Sequence, residues 1–400
     1  MSAVMPAAPR ARVRPAAAAE PVLKLYIDST SLPLVHQMAD FVAGAERPEL
    51  TQWVTWLRLP LSAEQLAGSN ARYLPQLAAV SASFVAAVCQ LVKQRGLRRI
   101  EIHSNLYHAW RGIVPLLREL IPLLPDARDA ITLDLYDDGT VGLLQRETLK
   151  AEPDPAALIA TAAQGLRRAV FDRQPLAWGL PQSYAWHHLF ETRYHLLRRD
   201  LLLRDAPGRA LHGYFEPFAV DMQFDGLPQL NDAQCQRYLQ LFGLDAALAE
   251  RLAPVAGRSD ALLFTGTGTW DKAQNLALAE NQLRAIAALH EGGCLPADWP
   301  IAYKGHPANT EHDARLMAAL GEQVIALPPQ VPLEVLLMAG LLPRRVAGVI
   351  STTYCTLPAG SIEYLLCRRE AVQGGAGSAL VNLMLDTGMV DAERLLPLLD

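Results

Sequence analysis

Tyr136-Asp137-Asp138-Gly139 sets two carboxylates where the apolar run Ile131–Leu135 gives way to a loop. A carboxylate at a strand end can act as a general base, and a neighbouring acid or partial burial raises its proton affinity toward neutral pH. An Asp-rich turn gives the same pattern, so the residue types alone leave both readings open. Asp134, Asp137 and Asp138 also carry oxygen ligands of the kind Mg²⁺ or Mn²⁺ accept. That reading is the weaker one, because Asp134 lies inside the strand and side-chain alternation works against convergence of the three. His187, His188 and His195 lack a metal-ligand frame, and no EF-hand loop, Walker A sequence or H-E-x-x-H pattern occurs.

Lys304-Gly305-His306-Pro307 puts a cation and an imidazole on a strand-to-helix turn. There a histidine can stabilise or protonate a departing phosphate oxygen, and a lysine can hold a nucleotide or its phosphate. Ser351-Thr352 follows another apolar strand and offers hydroxyls and amides to a phosphate, although a helix N-cap uses the same residues. Glu334 opens an apolar stretch running to Gly340, as a ribose-binding carboxylate or as an ordinary first-turn acid. Phe264-Thr265-Gly266-Thr267-Gly268-Thr269-Trp270 begins like a dinucleotide fingerprint but lacks the third glycine, so NAD is not indicated. Trp270 is either a platform for the apolar face of a sugar ring or a core or hinge residue.

The elements that must position these groups alternate. Val22–Ile27 predicts a strand and Leu32–Val42 a helix, followed by Pro75–Arg95 (helix), Arg99–His103 (strand), Trp110–Leu124 (helix) and Ile131–Tyr136 (strand). Between about 153 and 252 helical periodicity dominates. A second series starts with strand 261–264 and continues through helix 272–290 and strands 301–304, 324–327 and 346–351. Such alternation implies α/β architecture with two doubly wound parallel sheets facing across a cleft, with ligands outside the strands' carboxyl ends. The boundaries read as a disordered Ala/Pro/Arg leader over 1–21, a first domain over 22–256 and a second over 257–384, with 385–400 packing back on the first.

Four hundred residues suit two domains. A net charge of −5 with no dense basic cluster argues against nucleic acid. Five scattered cysteines without a C-x-x-C pair suggest neither a disulfide framework nor a zinc ribbon, and fit a reducing compartment. No apolar run in the leader matches a signal or membrane anchor.

Taken in order, Leu25-Tyr26-Ile27-Asp28 with Ser31-Leu32-Pro33, YDDG, FTGTGTW, KGHP, Glu334 leading into Gly340-Leu341-Leu342-Pro343, and Ser351-Thr352-Thr353-Tyr354 resemble the bacterial sialyltransferases of glycosyltransferase family 80. The resemblance runs from about Val22 to the C-terminus. It implies a GT-B fold of two Rossmann-like domains, and inverting transfer of sialic acid from CMP-sialic acid to a terminal galactoside without a metal or other cofactor. By the same resemblance Asp138 is the general base and His306 assists the phosphate leaving group. Gly266, Thr267, Lys304, Pro307, Glu334, Ser351, Thr352 and, more weakly, Ser31 bind the donor. His108, Trp270 and Arg58 surround the acceptor with Asp138. Thr352 stands where the family often has serine, and Cys355 replaces an aromatic residue. A galactose-terminated oligosaccharide or glycolipid acceptor, α-2,3 linkage over α-2,6, and a cytoplasmic location, peripheral at the inner membrane at most, complete the expectation. A CMP-Kdo-dependent transferase and an inactive carbohydrate- or nucleotide-binding module are the alternatives.

Overall fold

The computed structural model describes residues 20–28, 30–74, 81–296 and 298–400. Most of the leader and the first residues of the expected helix from Pro75 therefore lie outside the described residues. The first sheet contains β1 (Val22–Asp28), β2 (Leu50–Trp56), β3 (Ala71–Tyr73), β4 (Arg99–Asn105), β5 (Ile131–Tyr136), β6 (Glu191–Leu196) and β7 (Ala219–Asp221). The second contains β8 (Leu262–Thr265), β9 (Ile301–Lys304), β10 (Val324–Ala326), β11 (Arg345–Val349), β12 (Ile362–Arg368) and β13 (Leu395–Leu399). The strand orders are β3-β2-β1-β4-β5-β6-β7 and β10-β9-β8-β11-β12-β13, and neighbouring strands pair in parallel. Each sheet thus carries the 3-2-1-4-5-6 order of a dinucleotide-binding fold, extended by one strand in the first.

Burial explains why β1 and β5 were legible and β6 was not. Every residue of β1 and β5 is buried, as a parallel strand covered on both faces requires, so both read as apolar runs. In β6 the exposed Glu191 and Arg193 alternate with buried residues, and β7 is only three residues long. The expectation of helical decoration alone over 153–252 is corrected accordingly, and β2 and β3 join the sheet unannounced. The strand at 385–400 is also a correction: β13 pairs with β12 as the edge of the second sheet, because Leu395 and Leu399 bury their side chains there. The stretch behind Glu334 is a short helix, Leu333–Met338, ended by Gly340 at φ +69.

One apolar cluster covers the outer face of the first sheet and another that of the second. A third joins the two domains: Tyr26, Val54 and Trp56 of the first sheet belong to the same buried cluster as Leu263, Val346 and Leu365 of the second. Among the described residues no helix is long and apolar enough to cross a membrane.

Candidate active site

On the first-domain wall, β5 delivers Asp137 and Asp138 to opposite fates. Asp137 is 0% exposed and accepts hydrogen bonds from Tyr107 Oη (2.7 Å), Arg146 Nη1 (2.5 Å) and the Leu197 N–H (2.8 Å). Asp138 is half-buried, and its side chain has no hydrogen bond or ion pair with any described residue. It is the carboxylate left free for a ligand. Asp134 is gripped by Arg193 (2.8 and 2.6 Å) and by His195 (2.7 Å), and, against the effect of burial, His103 together with these two holds its carboxyl well below the usual range. Protein donors therefore already occupy two of the three carboxylates in the weaker metal reading. His187 bonds to Tyr194 and Tyr214 through its two ring nitrogens, a structural role.

The second-domain wall is knitted from three loops. The Gly266 N–H donates to Lys304 O (2.9 Å). Gln282, buried in the helix Lys272–Glu291, bridges both sides of the Thr267 peptide (3.0 and 3.3 Å). Asn309 donates to Thr267 O (3.0 Å) and Asn275 to Ala308 O (2.5 Å), so FTGTGTW and KGHP are held as one surface. The Ala308 N–H donates to His306 Nδ1 (3.2 Å); a neutral ring must then carry its proton on Nε2, as a donor. Burial, with Arg58 and Lys304 nearby, lowers the His306 pKa, which favours that neutral form. Lys304, 9% exposed, donates to Pro329 O (2.6 Å), and burial lowers its pKa to about 8.

Glu334 is 5% exposed and accepts from Thr353 Oγ1 (3.0 Å), while burial raises its pKa. Tyr354 Oη lies 2.7 Å from Thr265 Oγ1, anchoring the 351–355 turn to the end of β8. The Ser351 side chain does not cap the short helix Thr352–Cys355, which leaves its hydroxyl for a ligand rather than for the N-cap role the sequence allowed.

The walls meet. Gly139 sits at φ +70, and a Cβ there would stand 1.9 Å from Thr352 Cγ2. Thr140 Oγ1 lies 3.4 Å from Thr352 Oγ1. The Arg58 guanidinium lies over the Trp270 ring (5.5 Å), and Trp270, 68% exposed, meets the His306 ring edge-on at 6.3 Å. The expected acceptor pair and leaving-group histidine are thereby brought together. Ser31 begins the helix Ser31–Gly44 after β1, and His108 is exposed after β4; no hydrogen bond, ion pair or ring contact joins either to the second domain among the described residues. Pro307 is exposed beside His306.

Sequence reasoning passed over Arg146, Tyr107, Gln282, Asn309 and Thr353. Only Thr353, next to Ser351-Thr352, carried a local signal. A cavity of about 340 Å³ adjoins this wall, lined by Thr267 and Gln282 together with Val349, Ile350, Leu380 and Leu399.

The sialyltransferase PMO188 family matches residues 23–379. The GT-B domain of a sialyltransferase from Photobacterium damselae superposes with a TM-score of 0.82 at 26% identity, covering 94% of this chain and 99% of that one. A 2,6-sialyltransferase from Vibrionaceae Photobacterium sp. JT-ISH-224, solved with CMP and lactose, gives 0.81 at 24% identity, covering 95% and 79%. An α/β-galactoside α-2,3-sialyltransferase from Photobacterium phosphoreum gives 0.78 at 18% identity, covering 94% and 98%. No sequence among the curated proteins matches.

Proposed function

This chain belongs to the sialyltransferase PMO188 family, and from that premise we propose that it transfers sialic acid from CMP-sialic acid to a terminal galactoside, α-2,3-linked, by a single inverting displacement. The observation that carries the reading is the opposition of a free carboxylate, Asp138, to the His306 and Ser351-Thr352 surface, on two walls that touch at Gly139 and Thr352. A similar structure that binds CMP and lactose supports the substrate classes.

In the proposed step the acceptor hydroxyl gives its proton to Asp138 as its oxygen attacks the anomeric carbon. The bond from that carbon to the phosphate oxygen breaks, and the electron pair leaves with CMP. The Nε2–H of neutral His306 and the hydroxyls of Ser351 and Thr352 meet the charge that develops on the phosphate. Glu334, held by Thr353, receives the ribose hydroxyls, and Lys304 with Gly266, Thr267 and Pro307 lines the nucleotide. Trp270, Arg58 and His108 surround the acceptor, and Ser31 faces the sialic acid. CMP departs as a phosphate monoester, so no divalent cation is required to shield a diphosphate.

The test is incubation with CMP-sialic acid, lactose and EDTA, with mass spectrometry for sialyl-lactose and free sialic acid and a linkage-specific sialidase on the product. Product formed in EDTA supports metal-independent sialyl transfer. Product from CMP-Kdo alone replaces the donor, and CMP binding with neither transfer nor hydrolysis makes the chain a binding module.

A further inference from the structure

Asp138 must place one oxygen on a hydroxyl proton, yet among the described residues no side chain holds it. Its aim comes from the backbone on either side. On the C-terminal side, Gly139 is pressed against Thr352. On the N-terminal side, the Asp137 N–H donates to His195 O (2.9 Å), and the Asp137 carboxylate is bonded by Tyr107, Arg146 and Leu197. Arg146 closes the ring by donating to Leu197 O (2.5 Å), so both polar groups of the Leu197 backbone are tied to this ion pair. Tyr184 Oη lies 3.0 Å from Tyr107 Oη and backs it. There is no slack in the arrangement: a Cβ on Gly142 would lie 2.4 Å from Asp137 Oδ1 and 2.5 Å from Tyr107 Oη.

The geometry points to Asp137 and Arg146 as a positioning pair that aims Asp138. The pair lies below the cleft surface, with side chains 0% and 2% exposed, and touches no substrate. This inference rests on Asp138 being the base. The clamp also fixes the residue before Arg198, which adopts the left-handed conformation at φ 49 and lines a small cavity with Tyr354 and Leu357 of the second domain. One ion pair therefore sets the base loop and a contact between the domains.

Tyr107→Phe removes one donor from Asp137 while keeping the ring; the double variant Asp137→Asn/Arg146→Gln removes both charges without burying one alone. Steady-state kinetics with CMP-sialic acid and lactose are read beside CMP affinity and thermal unfolding. Misplacing a base by a fraction of an ångström to an ångström costs up to about 100-fold. We expect kcat to fall about 5-fold for Tyr107→Phe and 10- to 100-fold for the double variant, with donor KM and CMP affinity within about twofold of the parent. A parallel fall in CMP affinity, or kcat unchanged in Tyr107→Phe and in a folded double variant, overturns the pair's role. If the double variant does not fold, Tyr107→Phe with Arg146→Lys decides, since lysine keeps the charge but loses the fork to Leu197. A parent enzyme that turns over no donor refutes the function instead, which keeps the two failures apart.

Discussion

Asp138 and Lys304 illustrate how much of the chemistry is set by what a single side chain lacks or loses. Among the described residues Asp138 has no partner to surrender before taking a proton in its proposed role. Asp138→Ala should lower kcat by about 10²- to 10⁴-fold, the usual worth of a positioned base, while calorimetric CMP affinity stays unchanged because the proposed donor grip lies on the other domain. Lys304 loses hydration instead, and its pKa drops to about 8. It is charged at pH 7 and sheds its proton as pH rises through that value. CMP affinity should weaken above pH 8, toward about tenfold per pH unit where this charge alone matters. In Lys304→Met it should be weaker throughout and lose that alkaline limb. The sequence made both residues legible through type, order and strand-end position. It could not say that Asp137 would be consumed by Tyr107, Arg146 and Leu197, since those partners reach it only through folding.

At the scale of elements, the site is a matter of strand ends and the turns that leave them. The Gly139 turn needs a residue that tolerates φ +70 and has no side chain to strike Thr352. Gly139→Ala should cut transfer sharply. Combining it with Thr352→Ser removes the methyl that the new Cβ meets at 1.9 Å and should restore part of the activity in the same lactose assay, the residual loss being the left-handed backbone strain. The strands that lead to the candidate site residues, β5, β8, β9 and β11, are buried runs and were readable as such. Of those that escaped, β6 alternates exposed and buried residues and brings Arg193 and His195 to Asp134, β3 and β7 are short edges, and β2 and β12 are longer, largely buried strands whose polar residues interrupt the apolar run. Their identity depends on neighbours rather than on their own composition.

Across the whole molecule, two copies of one strand order produce two crevices, and the GT-B arrangement turns them toward each other. The alternation of strand and helix disclosed this plan. It did not disclose that β13 belongs to the second sheet, nor that the domains are welded by a common apolar cluster. Interfaces between domains in one chain are usually polar and permissive of motion; a shared core couples their stabilities. Heating should give a single calorimetric transition, shifted upward as a unit by CMP although its proposed grip lies on one domain. Splitting the gene near Gly257 would therefore divide a core rather than a linker. The halves made separately should precipitate through the faces left bare, and a soluble transferase should return only when both are synthesised together.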